Sequence, residues 1–130
     1  MTRHLTVAEV TGIATLAFGR TPPGLRAPGL LESAVHRPRA RMFGVIAHQD
    51  LYEQSAALLH AIAANHPFVD GNKRTAWLAA VTFLALNGAD LAGVDQDAAY
   101  DLVVDVASGA VDDPVRIAGR LRALAAFRVS

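Results

Sequence analysis

The sequence predicts an all-α fold, about six helices around a buried central helix, with at most a short hairpin flap near the Gly/Pro-rich stretch of residues 19–29. Three observations predict it. Apolar residues recur at helical spacing in segment after segment, and no alternating stretch longer than a few residues appears. Residues 72–87 are apolar almost all round, as a helix needing neighbours on every side would be. The 130 residues are 52% hydrophobic and 18% charged, which suits one sizeable core and is too apolar for a disordered chain.

Each element has its own signal. Thr6 with Glu9 three residues on forms a capping box that opens a helix over Thr6–Phe18, and Val7, Val10, Ile13, Ala14 and Ala17 share its spacing. Gly19–Gly29, with three Gly and three Pro, is a loop: a substrate-docking flap or merely a long connection. Leu30–His36 is a short helix stopped by Pro38. Asp50–Asn65 carries Leu51, Leu58, Leu59 and Ile62 on one face and ends at Pro67. Asn72–Asn87 follows, closed by Gly88, and is the candidate central helix. Asp97–Ser108 and Val115–Phe127 are amphipathic, the latter opened by Asp113-Pro114. Neither repeats nor low-complexity tracts occur, so residues 1–130 read as a single domain.

Composition excludes whole classes of function. Twelve basic and twelve acidic residues balance, which removes the general attraction to nucleic acid or to anionic lipid. The chain has no Cys, hence no disulfide, thiol nucleophile or Cys-based zinc site. The amino terminus lacks a signal-peptide pattern, and the longest apolar run, Ala76–Leu86, is too short for a bilayer. The expectation is a cytoplasmic protein. Eleven of the twelve basic residues are Arg, and the solitary Lys is Lys73, which suggests that Arg does not serve at that position.

Lys73 lies in the segment that carries chemistry, the motif loop His66–Arg74, HPFVDGNKR. Pro67 pins the loop, Phe68 is its one residue suited to the core, and Gly71 permits an unusual backbone just before a helix begins. Free N–H groups at that helix start, with Lys73 and Arg74 in the first turn, make an anion site. Two cations there oppose the helix dipole, and a bound phosphate would remove the conflict. Asp70 is of the type that holds Mg²⁺ together with substrate phosphates, and His66 can take a proton from an incoming hydroxyl. Singly, each has a bland reading as a turn, cap or solvated residue. Together they form the parts list for chemistry on a phosphate chain. The GNKRT string is not a Walker A loop, since its glycine frame and preceding strand are missing.

HPFVDGNKR resembles the signature of the Fic/Doc superfamily, and its Asn72-Lys73-Arg74 ending resembles the death-on-curing (Doc) toxin branch rather than Fic proper, which reads Gly-Asn-Gly-Arg. GLLESAVHRPRA (29–40), LYEQSAALLHAIAANHPF and FLALNGADL resemble Doc segments as well, so the likeness spans most of the chain. The resemblance implies a compact helical Fic/Doc fold and the toxin of a type II toxin–antitoxin pair. Its partner would be an antitoxin resembling the prevent-host-death protein. The implied activity is that of a protein kinase using ATP and Mg²⁺ to phosphorylate a threonine of elongation factor Tu, so arresting translation. By position, His66 is the general base, Asp70 the Mg²⁺ ligand and Phe68 the structural anchor, while Gly71, Asn72, Lys73 and Arg74 bind the ATP phosphates.

Where Fic enzymes have Gly, Lys73 fills space and adds charge, so the triphosphate is expected to lie the other way round with its γ-phosphate at the nucleophile. The alternatives are Fic-type AMP transfer and a non-catalytic helical binding module. Glu9, Glu32 and Glu53 are followed by Val10, Ser33 and Gln54, and none fits the self-inhibitory Ser/Thr-x-x-x-Glu-Gly/Asn helix of Fic enzymes, so inhibition is expected from another chain. Arg37, Arg39 and Arg41, and the Asp97, Asp101, Asp105 series, read as solvated faces. His4, His36, His48 and His60 have no metal-ligand spacing and are assigned no role.

Overall fold

In the computed structural model, residues 2–19, 21, 23–42, 45–46, 48 and 50–126 are described. Six α-helices follow in order: α1 (Val7–Phe18), α2 (Pro28–His36), α3 (Leu51–Asn65), α4 (Asn72–Leu86), α5 (Gln96–Ser108) and α6 (Pro114–Ala126). A 3-10 turn, Arg37–Arg39, and an antiparallel pair, β1 (Arg41–Met42) with β2 (Val45–Ile46), separate α2 from α3. The hairpin therefore lies beyond α2 rather than beside the Gly/Pro-rich loop. Within that loop Arg20 and Pro22 lie outside the described residues, as does Phe127 at the expected end of the last helix.

Local chemistry sets most boundaries. The Thr6 hydroxyl accepts from the Glu9 N–H at 3.1 Å while a Glu9 carboxylate oxygen accepts from the Thr6 N–H at 3.0 Å, closing the capping box. Asp50 caps α3 through the Glu53 N–H, and Asp95 caps α5 through the Asp97 and Ala98 N–H groups. Pro28 takes the first turn of α2, where its missing N–H costs nothing, so the helix starts two residues before Leu30.

One hydrophobic core gathers residues from all six helices. Its centre is α3, which packs against α2, the 3-10 turn, α4, α5 and α6, whereas α4 packs against α1, α3 and α5. The expected placement of residues 72–87 at the middle is thus corrected. Trp77, Leu78 and Val81 of α4 are only half-buried and Leu86 is exposed. Small residues let the two helices pack closely. Ser55, Ala56, Ala57, Ala61 and Ala63 of α3 are at most 1% exposed and let neighbouring backbones close in, and the Ser55 hydroxyl donates to the Ala80 carbonyl of α4 at 3.0 Å.

Candidate active site

The α3–α4 pair is joined by the motif loop, and two left-handed residues bracket it. His66 closes α3 with φ 52° and ψ 62°, the one non-glycine at positive φ among the described residues. Such a backbone costs an L-residue roughly 1–2 kcal/mol, so the surroundings must hold it in place. Gly71 opens α4 at φ 75°, and a Cβ there would come no nearer than 3.5 Å to the Phe18 ring, so conformation rather than space requires glycine.

Between these two turns the loop is clamped from inside. Phe68 is 1% exposed. Its N–H donates to the Asn72 side-chain oxygen at 3.0 Å, and the Asn72 amide donates back to the Phe68 carbonyl at 2.9 Å. The Asn72 side chain is therefore committed to the loop, and its backbone N–H is what it presents at the start of α4. From outside, residues 24–26 lie against the loop as a strap. The Val69 N–H donates to the Gly24 carbonyl and the Arg26 N–H to the Pro67 carbonyl, both at 2.8 Å, with Leu25 and Phe68 forming an antiparallel bridge. The Arg26 guanidinium adds bonds to the Asn65 and His66 carbonyls at 2.6 and 2.8 Å.

A cavity of about 760 Å³ opens over this loop, within the range of small-molecule sites. His66, Asp70, Gly71, Asn72, Lys73 and Arg74 line it, and Ala17, Phe18, Trp77, Tyr100, Val103 and Val104 add a largely apolar wall. All the motif residues except the buried Pro67 and Phe68 thus line one space. The first turn of α4 has no side-chain cap, which leaves its N–H groups for a ligand. Lys73 is exposed and has no hydrogen bond or ion pair among the described residues. Arg74 departs from expectation: its guanidinium donates to the Ala17 carbonyl at 3.0 Å, at the end of α1, whose last turn has no basic residue of its own. The dipole conflict at Arg74 is thus relieved partly by a second helix's negative end.

Among the described residues no three His, Asp or Glu side chains gather to cage a metal. A divalent cation fits here only in the manner of Mg²⁺, on one carboxylate and the phosphates of a substrate. Asp70 is the carboxylate of the right type at this cavity: it is exposed, and its Oδ1 accepts from the Gly71 N–H at 2.7 Å, which orients the group. Arg26, Phe18 and Tyr100 carried no local sequence signal. The partners of Arg26 lie 39 and 40 residues away, beyond any spacing rule.

The other candidates resolve differently. Asp105 pairs with Arg120 of α6 at 2.7 Å, so the acidic face of α5 is partly an interhelix contact. His4 packs on Phe83 with ring centres 5.7 Å apart.

Similarity to known proteins agrees with this geometry. The Fic/DOC family profile matches residues 4–84, which contain α1–α3, the motif loop and most of α4. The chain is 48% identical over 109 residues to the protein named Toxin Doc of Mycolicibacterium smegmatis, covering 83% of each. It is 35% identical over 114 residues to the one named Protein kinase doc of Escherichia phage P1, covering 84% of this chain and 86% of the relative. With the match spanning the clamped loop and the helices that build it, the chain belongs to the Fic/DOC family.

Proposed function

We propose that the chain is the toxin of a toxin–antitoxin pair, a protein kinase that moves the γ-phosphoryl group of ATP onto a threonine hydroxyl of elongation factor Tu and so stops translation. One juxtaposition carries the reading: His66, Asp70, Lys73 (unpaired among the described residues) and the uncapped start of α4 line a single cavity. A relative named as a protein kinase and another named as a toxin support it.

In the transfer, the hydroxyl oxygen bonds to the γ-phosphorus as the bond to the β–γ bridging oxygen breaks. The hydroxyl proton passes to the His66 imidazole, and ADP departs. Lys73, the remaining Arg74 donors and the α4 N–H groups hold the phosphates and stabilise charge on the transferring group. Mg²⁺ on Asp70 would neutralise further phosphate charge. The apolar wall with Phe18 and Tyr100 takes the nucleoside end. The strap 24–26, already paired with the motif loop, is where an extended target segment would dock beside His66.

Regulation is in trans. Phe18 and Tyr100, 47% and 66% exposed at the cavity, are apolar surface for an antitoxin resembling the prevent-host-death protein to cover.

The test is to incubate the protein, Mg²⁺ and a cell extract with ATP labelled at the γ or the α position. Label from the γ position should appear on a band the size of an elongation factor, and α label should not. Transfer of α label means that AMP is moved and the inverted-nucleotide reading is wrong. Transfer of neither by a folded protein favours a binding module.

A further inference from the structure

We infer that Arg26 is the positioning residue of His66. Pro67 bars His66 from continuing the helix but favours extended backbone there, so the motif itself does not set its left-handed φ. α3 ends there with no basic side chain in its last turn, and its final carbonyls need donors. Arg26 supplies them from another part of the chain. Its Nε donates to the His66 carbonyl at 2.8 Å and a terminal nitrogen to the Asn65 carbonyl at 2.6 Å, while its own N–H donates to the Pro67 carbonyl at 2.8 Å. Three consecutive carbonyls, 65, 66 and 67, are thereby held by one residue. The peptide units on either side of the His66 Cα are fixed, and with them the direction in which the imidazole leaves the backbone. The positive charge also sits at the negative end of α3.

The planar guanidinium sets two separate nitrogens on two successive carbonyls, whereas Lys has all its donors on one nitrogen and cannot reproduce that spacing. Because Arg26 is anchored in the strap at residues 24–26, the same contacts tie the proton acceptor to the segment on which the target would dock. The kinetic part of this inference rests on the kinase reading, and the spectroscopic part does not.

The test compares the wild-type protein with Arg26→Met and Arg26→Lys. Methionine keeps the aliphatic stem and the backbone bond to Pro67 but removes both side-chain donors. For γ-phosphoryl transfer, Arg26→Met should lower kcat by about 10- to 100-fold, because small misplacement of a reacting group is costly. KM for ATP should change by less than about two-fold, since the phosphate-facing residues are untouched. Arg26→Lys should fall between the two. In parallel, the His66 imidazole resonances should shift and broaden in Arg26→Met by NMR while its melting transition stays cooperative. A kcat within about two-fold of wild type, a change confined to KM, full activity of Arg26→Lys, or unaltered His66 resonances would each overturn the inference. If Arg26→Met does not fold, Arg26→Lys decides by the same measurements. If the wild-type protein transfers no γ label, the kinase reading fails, and the imidazole resonances alone decide the role of Arg26.

Discussion

His66, Phe68 and Lys73 stand within eight residues of one another and answer to different physics. His66 is exposed, so His66→Ala removes the proposed proton acceptor and little packing. Transfer should fall about 10²- to 10⁴-fold with the melting temperature unchanged. Growth arrest on expression should disappear with it, and arrest persisting in a folded His66→Ala protein would separate toxicity from this chemistry. Phe68 is the reverse case. Its ring is fully buried, and Phe68→Ala should cost about 3–5 kcal/mol in denaturant unfolding. An unchanged stability would refute the anchor role. Lys73→Gly should abolish γ transfer, and a gain of α transfer in that variant would show that the lysine sets the nucleotide's direction by occupying space.

At the scale of elements, the start of α4 is held by the Asn72–Phe68 pair and not by a side-chain cap. Asn72→Ala leaves the Phe68 N–H buried without an acceptor, which costs about 1–3 kcal/mol. Faster hydrogen exchange at Phe68 and Val69 should accompany the loss, because the strap and the clamp hold the same loop. Exchange rates unchanged from wild type would place the loop's order elsewhere. The end of α1 belongs to the same device, since Arg74 reaches its Ala17 carbonyl. The end of α1 beside Phe18 is thus tied to the first turn of α4.

For the whole molecule, pH offers a test independent of activity. Burial lowers the His4, His48 and His60 imidazoles below the ordinary 6.5. Arg39 and His36 add to the effect at His4 and Arg37 at His48 and His60, with Asp112 opposing at His60. Below 6.5 the unfolded chain takes up protons that the folded chain resists, so stability is full above that value and declines as pH falls past it. Melting temperature should drop between about pH 7.5 and about pH 5.5, a range in which ordinary carboxylates remain ionised. His60→Gln should flatten the slope, and an identical slope in that variant would remove His60 from the account. The exposed pair between Arg122 of α6 and Asp50, with Arg122 also 5.5 Å from the Tyr52 ring centre, should matter far less, roughly 0–1 kcal/mol on Arg122→Ala.

What the sequence by itself determined follows from interactions a few residues apart. The capping box joins Thr6 to Glu9, prolines and glycines bound the helices, and the motif loop gathers its polar groups within nine residues because Pro67 and Gly71 turn the chain around them. Helix type, helix count and the candidate site were legible for that reason. Only the tertiary structure decided which helix is central. Periodicity records how apolar a face is, not how many elements tertiary packing lays against it: α3 meets five and α4 three, although both bury alanines completely. It also decided that Arg26 serves His66 across 40 residues and that Arg74 serves Ala17 across 57. Arginine on a surface loop or helix reads as solvated until the carbonyls it reaches are in place, and only packing brings those carbonyls within hydrogen-bond distance.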